Sequence, residues 1–258
     1  MKFDELDQRM RVFETSHDHC ALPGIYLVAR LDGRNFTRLT KERLDLEAPF
    51  DERFRDAMVE TVAHLMESGF RVAYGYTQSD EISLLFDADE DAFGRKLRKF
   101  NSILAGEASA KFSLLMGTCV SFDCRVCQFP RWRDVQDYFS WRSEDAHRNA
   151  LNAHCYWHLR HKGENATNAT RMLVGMSVAG KNELLFQSGI NFNDLPTWQK
   201  RGVGLYWESY EKDGLNPVTG ETTKAIRRRI VRDLEIPMKE DYRQFIERRI
   251  SDAVPTNE

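Results

Sequence analysis

One apolar run constrains this chain more than any other. Gly24-Ile-Tyr-Leu-Val-Ala-Arg-Leu-Asp32 is rich in aliphatic residues, carries a turn signal at each end, and reads as a buried strand. It stops at Asp32-Gly33, where glycine permits a sharp turn or a close backbone approach. Residues 51–68 follow with Phe54, Met58, Val62, Leu65 and Met66 at helical spacing and Gly69 as the stop. Two short strand-like runs, 70–74 and 82–86, enclose the polar tip Thr77-Gln-Ser-Asp-Glu81, which predicts a hairpin with acids at its turn. A second helix aligns Phe93, Leu97, Phe100, Leu104, Ala108, Phe112 and Leu115 on one face and ends at Gly117. Residues 118–129 return to strand character and Pro130 closes them. The order β-α-β-β-α-β is the split ferredoxin-like arrangement, a small antiparallel sheet with two helices on one face.

Beyond Pro130 the texture changes. Residues 134–161 are long, aromatic and helical, 170–178 and 182–186 are shorter helical candidates, and 203–207 read as a late strand. Residues 213–223 read as a loop, and 224–250 alternate between basic and acidic. The expected class is α+β, with an N-terminal unit over 1–132 and a mostly helical extension over 133–258.

Composition narrows the setting. The chain has 258 residues, 41% of them hydrophobic, which is enough for a sizeable core. No stretch approaches the roughly 18 apolar residues of a membrane span. The acidic, polar start is not a signal or transit peptide. Five cysteines, an odd number, argue for reduced thiols and a cytoplasmic location. With 37 Lys+Arg against 40 Asp+Glu, the formal charge is −3, so a nucleic-acid partner would be held by local patches.

Two carboxylates stand out by position. Asp32 ends the first strand, and Asp80 sits at the hairpin tip with Glu81 beside it. In a split sheet these elements are neighbours, so the acids converge although 48 positions separate them. Strand-end carboxylates suit Mg²⁺, which prefers hard oxygen ligands and substrate phosphates, and the Gly33 carbonyl offers a further ligand. The plain alternative is that Asp-Gly and Ser-Asp are ordinary turn dipeptides. Arg95, Lys96, Arg98 and Lys99 form a basic cluster suited to a triphosphate near these acids, or else a solvated helix face. His154 and His158 are four apart, but the HExxH pattern is missing; Cys124 and Cys127, three apart on a strand, face opposite ways. Neither pair predicts zinc. Lys181 is glycine-flanked without a full phosphate-loop pattern, and Arg227, Arg228, Arg229 and Arg232 either track a nucleic-acid backbone or coat a helix. The residues alone thus point to metal-dependent nucleotide or phosphate chemistry and name no substrate.

Six motifs occur in order: Arg30-Leu-Asp-Gly-Arg-Asn-Phe36, Gln78-Ser-Asp-Glu81, Ser121-Phe-Asp-Cys-Arg125, Asp137-Tyr-Phe-Ser-Trp-Arg142, His147-Arg-Asn-Ala-Leu-Asn152 and Lys181-Asn-Glu-Leu-Leu-Phe186. Together they resemble the tRNA-histidine guanylyltransferase family and its guanylyltransferase-like relatives, from about residue 13 to 207. The resemblance implies a polymerase-like palm that extends tRNA at its 5′ end, in the 3′–5′ direction. ATP first adenylylates a 5′-monophosphate; the 3′-hydroxyl of GTP then attacks and AMP leaves. It further implies two Mg²⁺ ions and a homotetramer built as a dimer of dimers. By the same resemblance, Asp32, Asp80 and the Gly33 carbonyl are metal ligands and Glu81 is a catalytic acid beside them. Arg30, Gly33, Arg34, Asn35, Phe36, Ser79, Lys96 and Lys99 fall on nucleotide-binding positions, and Arg125, His147, Asn152, Lys181 and Asn191 on positions for the substrate 5′ end. Arg227, Arg228 and Arg229 are candidate tRNA contacts.

The departures select a branch. The tRNA-histidine-specific enzymes carry His-Ile-Asn-Asn where this chain has His147-Arg148-Asn149-Ala150, and a histidine where it has Thr37. Both differences point to the like-protein branch, which repairs 5′-truncated tRNAs against a template. Untemplated G addition, a non-catalytic RNA-binding palm and a nucleotide cyclase are the competing readings. Cys124 stands where the family has a glycine.

Overall fold

The computed structural model describes residues 2–40, 44–215 and 222–253. In chain order the N-terminal half runs α1 (Phe3–Thr15), β1 (Tyr26–Gly33), the short α2 (Phe36–Arg38), α3 (Glu52–Met66), β2 (Val72–Gln78), β3 (Glu81–Phe86), α4 (Leu97–Met116) and β4 (Phe122–Phe129). The second half adds α5 (Trp132–His161), α6 (Ala166–Leu173), α7 (Val178–Phe186), α8 (Thr197–Arg201), β5 (Val203–Leu215), β6 (Thr222–Asp233) and α9 (Lys239–Ala253). One antiparallel sheet of order β4-β1-β3-β2-β5-β6 runs through both halves. Its first four strands have the split order read from the sequence. The last two come from the C-terminal half, where only 203–207 was expected to be strand. The expected 213–223 loop is shorter: its ends belong to β5 and β6, and 216–221 lie outside the described residues.

Strand alternation sorts the core into two layers. Leu27, Ala29 and Leu31 of β1 face α3 and α4 with Ile82 and Leu84 of β3. Val28 and Leu85 face α5 and α9. Asp51 caps α3 by accepting the backbone N–H groups of Arg53 at 2.7 Å and Phe54 at 3.2 Å. Helix α4 buries Phe100, Leu104, Ala108 and Phe112 and ends at Gly117 in the left-handed region, φ 65°. It starts later than the apolar spacing predicts. Phe93 and Gly94 have φ of 52° and 61° in a tight 3₁₀ turn, which breaks the helical path and leaves Phe93 half-exposed.

The second layer fixes where α5 lies. Tyr74 of β2 and Tyr242 of α9 are both fully buried and share a hydroxyl–hydroxyl hydrogen bond of 3.0 Å. Burial raises both phenols above their ordinary pKa. A buried hydroxyl that loses its only partner carries a desolvation penalty, whereas removing both is far milder. Tyr242→Phe and Tyr74→Phe are each expected to cost about 1–2 kcal/mol, and the double variant less than their sum. Urea unfolding of the three proteins measures this; strictly additive losses would show that the two hydroxyls do not interact.

Candidate active site

The hairpin tip is tighter than the sequence suggests. Gln78 pairs with Glu81, so the turn consists of Ser79 and Asp80 alone, with Ser79 at φ 54°. The Gly33 N–H donates to the Asp80 carbonyl at 3.1 Å, tying the tip to the end of β1. That bond brings together the two acids selected from the sequence. Asp80 is half-buried, and its carboxyl is pushed up to about 6 by desolvation and by the neighbouring Asp32 charge, against relief from its own backbone N–H and the Ser79 hydroxyl. Ser79 Oγ donates to Asp80 Oδ1 at 3.2 Å. Arg30 stops 4.0 Å from Asp32. Two carboxylates thus share a corner with no hydrogen-bonded cation on either among the described residues. Gly33 is needed here for packing as well: a Cβ would lie 2.4 Å from the Phe36 ring.

The neighbouring strands carry further charge on the same face. Asp32 lies opposite Glu81 on β3 and Asp123 on β4, and Arg30 opposite Arg125. Arg30 bonds Glu81, while Arg142 of α5, only 5% exposed, reaches the other Glu81 oxygen at 3.5 Å and also bonds Asp145. Asn149 donates to Asp145 at 3.3 Å. Arg142, Asp123 and Asn149 fall inside the quoted motifs without an assigned role, and Asp145 lies outside them. The readable signal was Tyr138 and Arg142, one helical turn apart.

A cleft of about 810 Å³ opens beside Asp80, lined by Ser79 and Asp80 on one side, the 44–51 segment on another, and Asn149, Asn152 and Tyr156 of α5. Asn152 lines the same cleft as Asp80. Arg34 and Asn35 are exposed, with Asn35 at φ 62°. Phe36 is different: it lines the cleft, but its ring is 2% exposed and packs on Phe54, Phe112 and Phe122, so its side chain serves the core. Arg125 is more than half exposed and pairs with Asp123 at 3.5 Å.

Other candidates lie elsewhere. The basic cluster does not adjoin the acids of its own chain. Arg95 donates to the Ile25 carbonyl, at the far end of β1 and about 20 Å from Asp32 at strand rise. There Lys96 and Arg98 both pair with Asp18, and Lys99 lies over the Phe93 ring. His147 faces Phe192 rather than the cleft, its Nδ1 buried without a hydrogen bond. Burial and the charges of Arg201 and Lys200 hold it below the ordinary histidine range. Asn191 is a cap, accepting from the Asn193 N–H and donating to Asp194. The Lys181 carbonyl accepts from Cys155, about 20 Å along α5 from Arg142 at helical rise. Arg227, Arg228 and Arg229 sit on strand β6 and coat no helix: Arg228 stacks over Trp207, and Arg229 pairs with Glu208. The histidines His154 and His158 have separate partners, Phe50 and Ser188. Cys124 and Cys127 pack into opposite layers.

Residues 7–130 match the family model "tRNAHis guanylyltransferase" (Thg1), and residues 133–245 match the "Thg1 C terminal domain". A probable tRNA(His) guanylyltransferase of Drosophila melanogaster is 34% identical over 198 residues, 73% of this chain and 69% of that one. The mouse counterpart is 32% identical over 214 residues, 79% and 71% of the two chains. The chain belongs to the tRNAHis guanylyltransferase family. Among solved structures, a bacterial Thg1-like protein in complex with GTP superposes with TM-score 0.71 at 28% identity, covering 95% of this chain and 99% of the other. The Saccharomyces cerevisiae enzyme gives 0.69 at 26% identity, covering 80% and 93%. As a member of the guanylyltransferase family the chain is a nucleotidyltransferase acting on tRNA, which sets aside the cyclase and idle-scaffold readings.

The raised Asp80 carboxyl makes this guanylyltransferase fold pH-sensitive. Between about pH 4 and 6 the folded state keeps a proton that the unfolded chain releases, so stability falls as pH rises through that window. In metal-free buffer Asp80→Asn is expected to melt roughly 5 °C higher than wild type at pH 7.5, with the gap closing at pH 4. Thermal melts across pH measure this; a gap independent of pH would contradict the assignment.

Proposed function

We propose that this enzyme adds nucleotides in the 3′–5′ direction to the 5′ ends of tRNAs, with Mg²⁺ as cofactor, and that templated repair of 5′-truncated tRNAs is its role. One observation carries the reading: Asp32 and Asp80 meet in a half-buried corner where, among the described residues, no bonded counter-charge relieves their mutual repulsion. The donor set fits the metal. Among the described residues no three acidic, histidine or cysteine side chains group to hold a metal by themselves, so the protein offers a partial ligand set. Two carboxylates and the Gly33 carbonyl are hard oxygen donors of the kind Mg²⁺ takes from protein while phosphates complete its shell. When bound, Mg²⁺ would offset triphosphate charge and make a coordinated hydroxyl more acidic.

The chain's own residues supply positioning. The tight Ser79-Asp80 turn and its backbone bond to Gly33 tie the hairpin tip to the end of β1. Asn149 and Asn152 present amides along the cleft, whose volume suits a nucleoside triphosphate. Arg125, exposed on the acids' face of the sheet, offers a guanidinium to an incoming phosphate. Bacterial Thg1-like relatives hold GTP and ATP, which supports a cycle in which ATP adenylylates a monophosphorylated end before the GTP 3′-hydroxyl displaces AMP. Thr37 and the Arg148 and Ala150 departures support templated repair over untemplated addition. The exposed Phe3, Met10 and Phe13 of α1, a helix that buries no residue in its own chain, supply apolar area for the proposed tetramer.

Asp32→Ala and Asp80→Ala are expected to lower incorporation of labelled GTP into a 5′-truncated tRNA at least 10³-fold, with tRNA affinity within about twofold. Full activity in either variant would overturn the proposal. Incorporation opposite C but not opposite A would support templating; equal incorporation would place the enzyme with untemplated addition.

A further inference from the structure

The acids' corner contains a cation of the protein's own. Arg30 lies two residues before Asp32 on the same face of β1, and its Nη2 stops 4.0 Å from Asp32 Oδ1. The guanidinium bonds Glu81 instead, across the strand pair. Glu81 is itself held from the opposite side. Its second oxygen faces Arg142 Nε at 3.5 Å, and that nitrogen has no hydrogen-bond partner among the described residues, so the tie is Coulombic. Arg142 is 5% exposed, stacked 4.2 Å over Trp141, and bonded to Asp145. A guanidinium buried to that degree requires anionic partners, and Glu81 and Asp145 are those partners.

The backbone fixes where this grip falls. Tyr138 and Arg142 are one helical turn apart, about 6 Å, and they meet Ser83 and Glu81, two residues apart on β3 and about 6.7 Å. The Tyr138 hydroxyl and Ser83 Oγ are 2.9 Å apart. Helix α5 is thereby keyed to the strand at two polar points, and its arginine arrives beside the acid next to Asp80.

We propose that Arg142 and Glu81 act as an electrostatic leash that withholds Arg30 from Asp32, so that Asp32 stays available to a divalent cation. Glu81 is then a positioning residue and not a metal ligand. Without the leash, Arg30 closes the 4.0 Å gap, pairs with Asp32 and competes with the metal for the same carboxylate. The inference rests on the reading of Asp32 and Asp80 as a Mg²⁺ site and adds to it a reason for the two arginines beside that site.

The test is a Mg²⁺ titration of the melting temperature, without nucleotide or tRNA, on the full chain. Glu81→Gln and Arg142→Gln are expected to need about tenfold more Mg²⁺ for the half-maximal rise, the range found when groups around a metal site are altered. Adding Arg30→Gln to either variant is expected to return the requirement to the wild-type value or below. A purely structural role for Arg142 gives no such recovery, because a second deletion would compound the damage. Should Arg142→Gln not fold, Glu81→Gln alone and with Arg30→Gln completes the comparison, since Glu81 is partly exposed. Tyr138→Phe, which cuts the other key, is expected to lower the melting temperature without moving the Mg²⁺ midpoint. An unchanged midpoint in Glu81→Gln, or no recovery on removing Arg30, overturns the leash while leaving the metal site standing. A wild-type melting temperature indifferent to Mg²⁺ overturns both.

Discussion

Two negative charges are brought together in a half-buried corner of the sheet. A hydrogen bond from Gly33 to the carbonyl of Asp80 holds the tip of one hairpin against the end of the first strand, and Asp32 and Asp80 repel across that junction. A protein that needed only a tight turn would place a lysine or arginine there, since one opposite charge within a few ångströms reverses the penalty. Among the described residues, Arg30 stops 4.0 Å from Asp32 and bonds a different acid. The fold therefore stores an electrostatic cost at the place where a phosphate-bearing substrate and its cation would relieve it.

Much of the remaining structure keeps that corner in shape. The layer under α3 and α4 packs Phe36 against three other phenylalanine rings, and the missing side chain of Gly33 makes room for it. The layer under α5 and α9 positions a thirty-residue helix whose polar stripe carries Arg142 to Glu81 and Asn149 and Asn152 to the cleft. Strands β5 and β6 extend the same sheet, so the C-terminal half is built onto the catalytic sheet and shares its core through Trp198, Val203 and Leu205.

What could be read in advance follows from how local the signal is. Strand β1 and the helix capped by Asp51 have short-range patterns, and both stand close to where the spacing put them. The convergence of Asp32 and Asp80 was legible because topology alone brings strand ends together. The basic cluster misled for the complementary reason: charge spacing says nothing about which end of a strand a helix begins from, and Arg95 to Lys99 start at the end remote from the acids. Phe36 lay in a motif with true surface neighbours, Arg34 and Asn35, and nothing in the spacing marked it as core. The β6 arginines alternate across a strand because their segment pairs with β5 over long range, a partnership that no local periodicity encodes. Arg142 was visible as a motif residue, but its role depends on Glu81, 61 positions earlier, and only the packed helix joins them.

The central claim is that Asp32 and Asp80 together hold a divalent cation. Mn²⁺, with similar ligand preferences and a paramagnetic signal, reads this directly by electron paramagnetic resonance in the presence of GTP. The account predicts bound Mn²⁺ in the wild-type protein, displaced by excess Mg²⁺, and at least a tenfold loss of affinity in both Asp32→Asn and Asp80→Asn. Undiminished Mn²⁺ binding in either variant would contradict it.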